Sequence, residues 1–158
     1  MMTLQQKFEF QLRCLYNTEK QLIDFLPKMA ESTKDANLQQ LFKGHILETK
    51  RHKKRIDSIC KELHIKPSGE VCKTMKYLLK EVDTFLKEVI DANLFASISL
   101  TYAHQIEGYK VSAYKIAIHY AEALGYIDLA KRLQATFDEE NTIDDKLKTF
   151  KIESVITK

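Results

Sequence analysis

Apolar residues recur at steps of three and four along most of this chain, and that spacing predicts long amphipathic α-helices. Breakers and capping residues divide the pattern into predicted helices at about 3–31, 36–64, 71–88, 90–124 and 127–152. Asp35 is the predicted N-cap of the second helix, and Gly125 is the predicted C-cap of the fourth. No stretch alternates apolar and polar residues over a useful length, so the pattern predicts an all-α protein.

The connections between these helices predict how they pack. Short turns at 32–35 and 125–126 make an antiparallel hairpin of the two helices that flank each turn. A long connection, which is broken at Pro67 and Gly69 and carries the short helix, can cross the whole bundle. This is the connection of a ferritin-like four-helix bundle. At 158 residues, the chain is expected to form a single domain over 1–158.

Each of the four long helices has a core-facing apolar stripe, or seam. Acidic residues and histidines interrupt these seams near the middles of the helices. They are Glu19 on the first helix, His45, Glu48 and His52 on the second, Glu107 on the fourth, and Glu140 and Asp144 on the fifth. On the fourth helix, two sets of positions spaced by three and four residues both contain Glu107. One set, or track, also contains Lys110, and the other contains His104. Distances counted from the helix ends put a carboxylate from each long helix at a similar height in an antiparallel bundle.

A layer of buried acids has a chemical consequence, because an ionised carboxylate is costly to bury without a counter-charge. Carboxylate oxygens and imidazole nitrogens together suit iron or manganese. We therefore predict two divalent metal ions held by Glu19, Glu48, His52, Glu107, Glu140 and Asp144. The pattern leaves open whether His45 or His52 is the histidine ligand, and it assigns no catalytic residue.

Composition narrows the partners and the compartment. The net charge of +3, from 25 basic and 22 acidic side chains, is too small to suggest nucleic acid or a membrane surface as a partner. The three cysteines lack the spacing of a zinc site and are expected to be reduced thiols. No apolar run approaches the roughly 20 residues of a membrane span, and the first residues do not resemble a signal peptide. We expect a cytoplasmic protein.

Several short motifs occur in order along nearly the whole chain. They are Leu15-Tyr16, Glu19-Lys20-Gln21, FLPKMA at 25–30, His45 with Glu48-Thr49, Lys66-Pro67, Cys72 with Met75, Ile106-Glu107 with Tyr109, Ala113-Tyr114, Ala123-Leu124-Gly125 and Asp138-Glu139-Glu140. With these motifs the chain resembles the YciF-like family of ferritin-like proteins, whose domain has no assigned function. The resemblance implies a ferritin-like bundle, a homodimer, association with stress responses, and a two-metal site that includes Glu19, Glu48, Glu107, Glu140 and Asp144.

Three features depart from the family pattern: the family often has glutamine where His52 stands, Arg51 rather than a histidine lies three residues after Glu48, and Lys110 replaces an acid. Lys110 stands three residues after Glu107, where the family carries a second acid. A lysine there removes a ligand and brings a positive charge to the helix that bears Glu107. We therefore expect one tight metal site and one weak or empty site.

Three functions fit the sequence. The first is a metal protein that handles iron, oxygen or peroxide under stress. The second is a non-enzymatic structural or partner-binding stress protein whose acid layer holds no metal, since a single acid in a seam is more often a satisfied structural group. The third is a DNA-protecting ferritin relative, suggested by the basic run at 50–55 and disfavoured by the small net charge.

Overall fold

The computed structural model describes residues 1–150, which form five α-helices and no strand. The helices are α1 Leu4–Ser32, α2 Ala36–Glu62, α3 Lys73–Glu88, α4 Ala92–Ala123 and α5 Ile127–Thr149. The prediction of an all-α protein is confirmed, and most predicted helix ends lie within two residues of the observed ones. The predicted end of the last helix at 152 lies outside the described residues.

Local capping explains where the helices begin and end. Asp35 accepts a hydrogen bond from the Leu38 amide at 2.8 Å, as expected for the N-cap of α2. Asp91 caps α4 in the same way, so α4 begins at Ala92, two residues later than predicted. Gly125 follows α4 with a φ of +79°, a conformation that glycine adopts without strain, and this confirms the predicted stop.

Two apolar clusters fill the interior, and their order along each helix gives the helix directions. One cluster includes Phe8, Leu12, Leu15, Ile56, Ile59, Tyr114, Ala117 and Leu133. The other includes Leu22, Leu26, Met29, Leu38, Phe42, Met75, Ile106, Ile143 and Leu147. Helices α1 and α5 pass from the first cluster to the second, whereas α2 and α4 pass from the second to the first. Since α2 and α4 run in the same direction, the segment between them must cross the length of the molecule.

The four long helices enclose these clusters. The most extensive packing joins α1 to α2 and α4 to α5, while α1 also contacts α4 and α2 contacts α5. Helix α3 packs on the outside against α4 and α1. Most of the apolar surface of α3 is covered within the chain, because Met75, Leu79 and Val82 are buried and the exposed Phe85 ring stacks on Tyr102.

On α2, part of the buried face is displaced by one residue from the predicted seam. Phe42, Thr49 and Ile56 are buried on this face, whereas the prediction placed Glu48 there. Steps of three and four fit either of two adjacent stripes on a helix, so the periodicity alone does not choose between them. Thr49 fits the core because its hydroxyl donates to the His45 carbonyl at 2.8 Å.

On α4, the track through Lys110 is the buried one, and it runs from Ala103 to Ala117. On the alternative track, the His104 side chain is 45% exposed. Small alanine side chains let the neighbouring helices approach closely, which brings the lysine stem into the interior. No helix within the described residues is both long enough and apolar enough to cross a membrane.

Candidate metal centre

A layer of polar side chains separates the two apolar clusters, and all four long helices contribute to it. The gap between the clusters falls between Leu15 and Leu22 on α1, Phe42 and Ile56 on α2, Ile106 and Ala113 on α4, and Leu133 and Ile143 on α5. The buried members are Glu19, His45, His52, Glu107, Lys110 and Glu140, and none is more than 4% exposed. A mid-height polar layer is therefore present, with carboxylates from α1, α4 and α5 and histidines from α2.

Lys110 lies inside this layer. Its Nζ lies 2.9 Å from Glu19 Oε1 and also contacts Glu140 Oε1. His52 approaches the same two acids, with Nδ1 at 2.7 Å from Glu140 Oε1 and 3.6 Å from Glu19 Oε2. Lys110 therefore brings its ammonium into the acid layer, and Glu140 contacts both Lys110 and His52.

Glu107 has a separate histidine. His45 Nε2 contacts Glu107 Oε1, and both side chains are buried. Burial raises the pKa of Glu107, but the adjacent His45 charge and then that of Lys110 outweigh burial and hold this pKa below its usual value. Glu107 is therefore ionised at neutral pH, the form in which a carboxylate binds a metal.

The charges in this layer are close together but poorly aligned. Within residues 1–150, neither carboxylate oxygen of Glu19, Glu107 or Glu140 has a hydrogen-bond donor in acceptable geometry, and the same holds for Lys110 Nζ as a donor. Buried polar groups in folded proteins are nearly always hydrogen-bonded, so a cluster of this kind calls for an explanation. A divalent cation between the carboxylates would satisfy the oxygens directly.

Two sets of donor atoms within the layer are compact enough to hold a metal ion. Glu19, His52 and Glu140 form one set, and His45, Glu107 and Glu140 form the other, with the donor atoms of each set within 4.8 Å of one another. Glu140 belongs to both sets, as a bridging carboxylate would. The mixture of one imidazole nitrogen and two carboxylates in each set suits iron or manganese.

A third set lies at the rim of the layer. It consists of Glu48, His52 and Glu139, with His52 Nε2 at 2.7 Å from Glu139 Oε2 and 3.7 Å from Glu48 Oε2. Arginines neutralise both acids, since Arg51 contacts Glu48 and Arg55 lies 3.2 Å from Glu139. Partial burial raises the pKa of Glu139, but hydrogen bonds from Arg55 and His52 hold it below its usual value.

The predicted ligands thus fall in three places. Glu19, His52, Glu107 and Glu140 lie together in the layer, and Glu48 lies at its rim. Asp144 does not join any of these sets among the described residues, because it pairs with His104 on α4 and with Lys148 at 3.3 Å. Both histidines left open by the sequence lie in the layer, one in each inner set.

Two residues that the sequence did not assign also border the site. Glu139 joins the rim although helical periodicity placed it beside the seam, and its proximity to α2 follows only from the packing of α5. Burial raises the pKa of Tyr114 well above its usual value, and the nearby Glu19 charge adds to this effect. The Tyr114 hydroxyl therefore keeps its proton beside the acids.

Known proteins similar to this chain were found by sequence and by structure. A family model described as Domain of unknown function (DUF892) matches residues 3–157. Protein YciF of Escherichia coli K12 is 34% identical over 161 residues, which cover 98% of this chain and 94% of YciF.

Two solved structures are also similar. YcfI of Rhodopseudomonas palustris, proposed to be a structural protein, has a TM-score of 0.92 and 31% identity, with 96% of each chain covered. The crystal structure of the E. coli stress protein YciF has a TM-score of 0.87 and 32% identity, with 94% of each chain covered.

Proposed function

The chain belongs to the DUF892 family, and from its buried acid layer we propose that it is a metal-binding protein with a ferritin-like four-helix bundle. The parallel course of α2 and α4 supports this architecture, because such a course requires the long crossover of ferritin-like folds. The bundle would be a single domain over 1–158. One observation carries the proposal, namely that three buried carboxylates without aligned donors meet two histidines at one level.

The two inner sets of donors differ in how well they can accept a cation. Lys110 contacts Glu19 and Glu140, which are two of the three donors of the set that includes His52. A cation there would have to displace the ammonium. The set of His45, Glu107 and Glu140 has only one donor in contact with Lys110, so it is the better candidate for the tight site. Glu48 would bind a cation at the rim. Asp144 would become a ligand only after its side chain turns away from His104.

Iron or manganese would give this site redox chemistry with oxygen or peroxide when the metal is bound. The protein residues would hold the metal and exclude bulk water, and the protonated Tyr114 hydroxyl would be available as a donor beside the carboxylates. E. coli YciF is described as a stress protein. We therefore propose that this chain handles iron, oxygen or peroxide under stress, in the cytoplasm.

Metal analysis tests the proposal. Untagged protein purified without chelators should contain iron or manganese when measured by inductively coupled plasma mass spectrometry. The double variant Glu107→Gln with Glu140→Gln keeps the side-chain shapes and should lose the metal. Asp145→Asn is the control, because Asp145 is an exposed acid on the same helix as Glu140. Equal metal content in the double variant and the native protein would rule out the assignment.

The alternative is a structural or partner-binding stress protein whose acid layer holds no metal. The ion pairs of Lys110 favour this alternative, because they offset part of the buried negative charge without any metal. The structural role proposed for YcfI fits the same view. A native protein that contains no metal and takes up none from solution would support this alternative over the first proposal.

We also propose a homodimer, which the family resemblance suggests. The apolar surface of α3 gives less support than the sequence indicated, because most of it is buried against α1 and α4. Tyr77 and Phe85 remain exposed on α3 and are the apolar side chains of that helix available to a second copy. Light scattering of the native protein at tens of micromolar should report twice the chain mass of 18.4 kDa.

A further inference from the structure

A groove of about 320 Å³ lies between α2 and α5 and leads from the surface towards the buried layer. Leu41 and Gly44 line it from α2, and Thr142 and Ile143 line it from α5. His45 forms part of the same lining although it is only 4% exposed, so the groove reaches a member of the inner donor sets. Helices α2 and α5 pack less extensively than the other pairs of adjacent long helices, which explains the opening at this position.

The acids of the rim also line this groove. The side chains of Glu48 and Glu139 are 28% and 35% exposed, so both can meet a cation that comes from solvent. His52 lies directly behind them. Its Nε2 faces Glu48 and Glu139, while its Nδ1 faces Glu140 and Glu19. A single fully buried imidazole therefore lies between the solvent-facing set and the inner set.

We infer that the groove between α2 and α5 is the route by which a divalent cation reaches the buried layer, with Glu48 and Glu139 as its first binding position. This inference rests on the proposed metal-binding function. Glu48 and Glu139 offer carboxylate oxygens to a cation at the mouth of the groove. The arginines that contact these acids keep the rim neutral, so a cation is held there only weakly and can continue inwards.

The rim and the inner layer differ in how strongly they should hold a cation. Among the inner carboxylates, Glu107 is fully buried, and within residues 1–150 it has no aligned donor and is not paired with a lysine or arginine, so it gains most from a cation. Glu48 and Glu139 already have arginine partners, so a cation at the rim competes with an existing ion pair. Transfer from the rim to the layer is therefore favourable, and His45, which lines the groove, is the inner ligand nearest to its floor.

Residues on both walls of the groove can be enlarged without disturbing the core. A Cβ atom added at Gly44 meets no described atom within 4 Å, so the position has room for the start of a larger side chain such as that of Gly44→Phe. Thr142 is exposed, and its hydroxyl donates to the Asp138 carbonyl of its own helix. The double variant Gly44→Phe with Thr142→Phe should narrow the groove from both sides.

Matched control substitutions are available on α4. Gly108 also has open space around an added side chain, and it is exposed within a helix. Thr101 is exposed and bonds to the Ser97 carbonyl four residues earlier, as Thr142 does to Asp138. Neither residue lines the groove. Gly108→Phe with Thr101→Phe therefore changes helix propensity and surface polarity in the same way without narrowing the groove.

The experiment measures the uptake of cobalt(II) by metal-free protein in a stopped-flow spectrometer, followed by equilibrium dialysis. The groove variant should take up cobalt at least about tenfold more slowly than the native protein, because the route is narrowed and its acids are shielded. Its final cobalt content should equal that of the native protein, and the control variant should match the native protein in both rate and content.

Each outcome separates the route from the proposed function. Equal uptake rates in the groove variant and the native protein, with cobalt bound in both, would overturn the route and leave the metal-binding proposal standing. A native protein that binds no cobalt, iron or manganese at equilibrium would overturn both. A lower final content with an unchanged rate would also contradict the route, since it would mean that the substitutions act on the binding site itself.

Discussion

Replacing Lys110 by glutamate should raise the metal capacity of the chain from one divalent ion to two. The inner layer contains three carboxylates, Glu19, Glu107 and Glu140, and one ammonium, Lys110, so its net charge is −2 when the histidines are neutral. One divalent ion balances that charge. Lys110→Glu changes the layer to −4, which two divalent ions balance, and it supplies a carboxylate where an ammonium now competes for Glu19 and Glu140.

The same lysine should matter for the stability of the metal-free protein. Lys110, Glu19 and Glu140 are each fully buried, and removing one partner of a buried ion pair typically costs about 3–5 kcal/mol because the other charge is left unpaired. Lys110→Met retains an unbranched side chain that is one atom shorter and removes the ammonium group. Its free energy of unfolding in chelator should be lower than that of the native protein by about this amount.

The assays are metal titration and urea denaturation on the same preparations. Isothermal titration with manganese(II) should give a stoichiometry near one for the native chain and near two for Lys110→Glu. Bound metal should restore most of the stability that Lys110→Glu loses in chelator, because the cation replaces the missing positive charge. Lys115→Glu is the control, since Lys115 is exposed on the same helix.

Two results would refute this reasoning. Two equally tight sites in the native chain would mean that the ammonium does not compete with a metal for Glu19 and Glu140. A stoichiometry that stays at one in Lys110→Glu would mean that charge balance in the layer does not limit metal binding.

Three further predictions concern parts of the fold outside the metal centre. Burial raises the pKa of Cys14 and of Cys60 to about 11, so at pH 8 only about one thiol in a thousand is ionised. Iodoacetamide should therefore label both thiols far more slowly in the native protein than in the urea-unfolded protein, as measured by mass spectrometry. Asp35→Ala removes the cap of α2 and should lower the unfolding free energy by about 1 kcal/mol in urea, whereas Lys34→Ala should have little effect. Gly125→Ala forces a left-handed conformation on alanine and should cost about 1–2 kcal/mol, which a melting temperature equal to that of the native protein would contradict.

Much of the candidate site was predictable because it depends on periodicity within single helices. Glu19, Glu107 and Glu140 each replace an apolar residue in a seam, and a seam position faces the core wherever the helix packs. Their common height followed from the lengths of the helices and the short turns between them. An interior lysine was one of two possibilities, since Lys110 lies on a track of alanines between Ala103 and Ala117, while a second track through His104 fitted the same spacing.

The sequence was less informative about side chains that could face either the buried layer or the solvent. Glu48 and Asp144 lie at the edges of their seams, so a small rotation of the helix decides whether they face the layer or the solvent. In the structure Glu48 pairs with Arg51 and lies at the rim, while Asp144 pairs with His104 and Lys148. These partners lie on the outer faces of the helices, where helical periodicity carries no information about pairing.

The sequence by itself determined the helices, the caps at Asp35 and Gly125, the crossover and the presence of acids at mid-height, because each depends on local spacing and chain length. Only the tertiary structure decided which donor atoms meet. It brought Glu140 between His52 and Lys110, placed His45 against Glu107, and opened the groove between α2 and α5. The physical reason is that helix rotation and side-chain direction are determined by packing between helices, which shifts contacts by several ångströms without changing any local pattern.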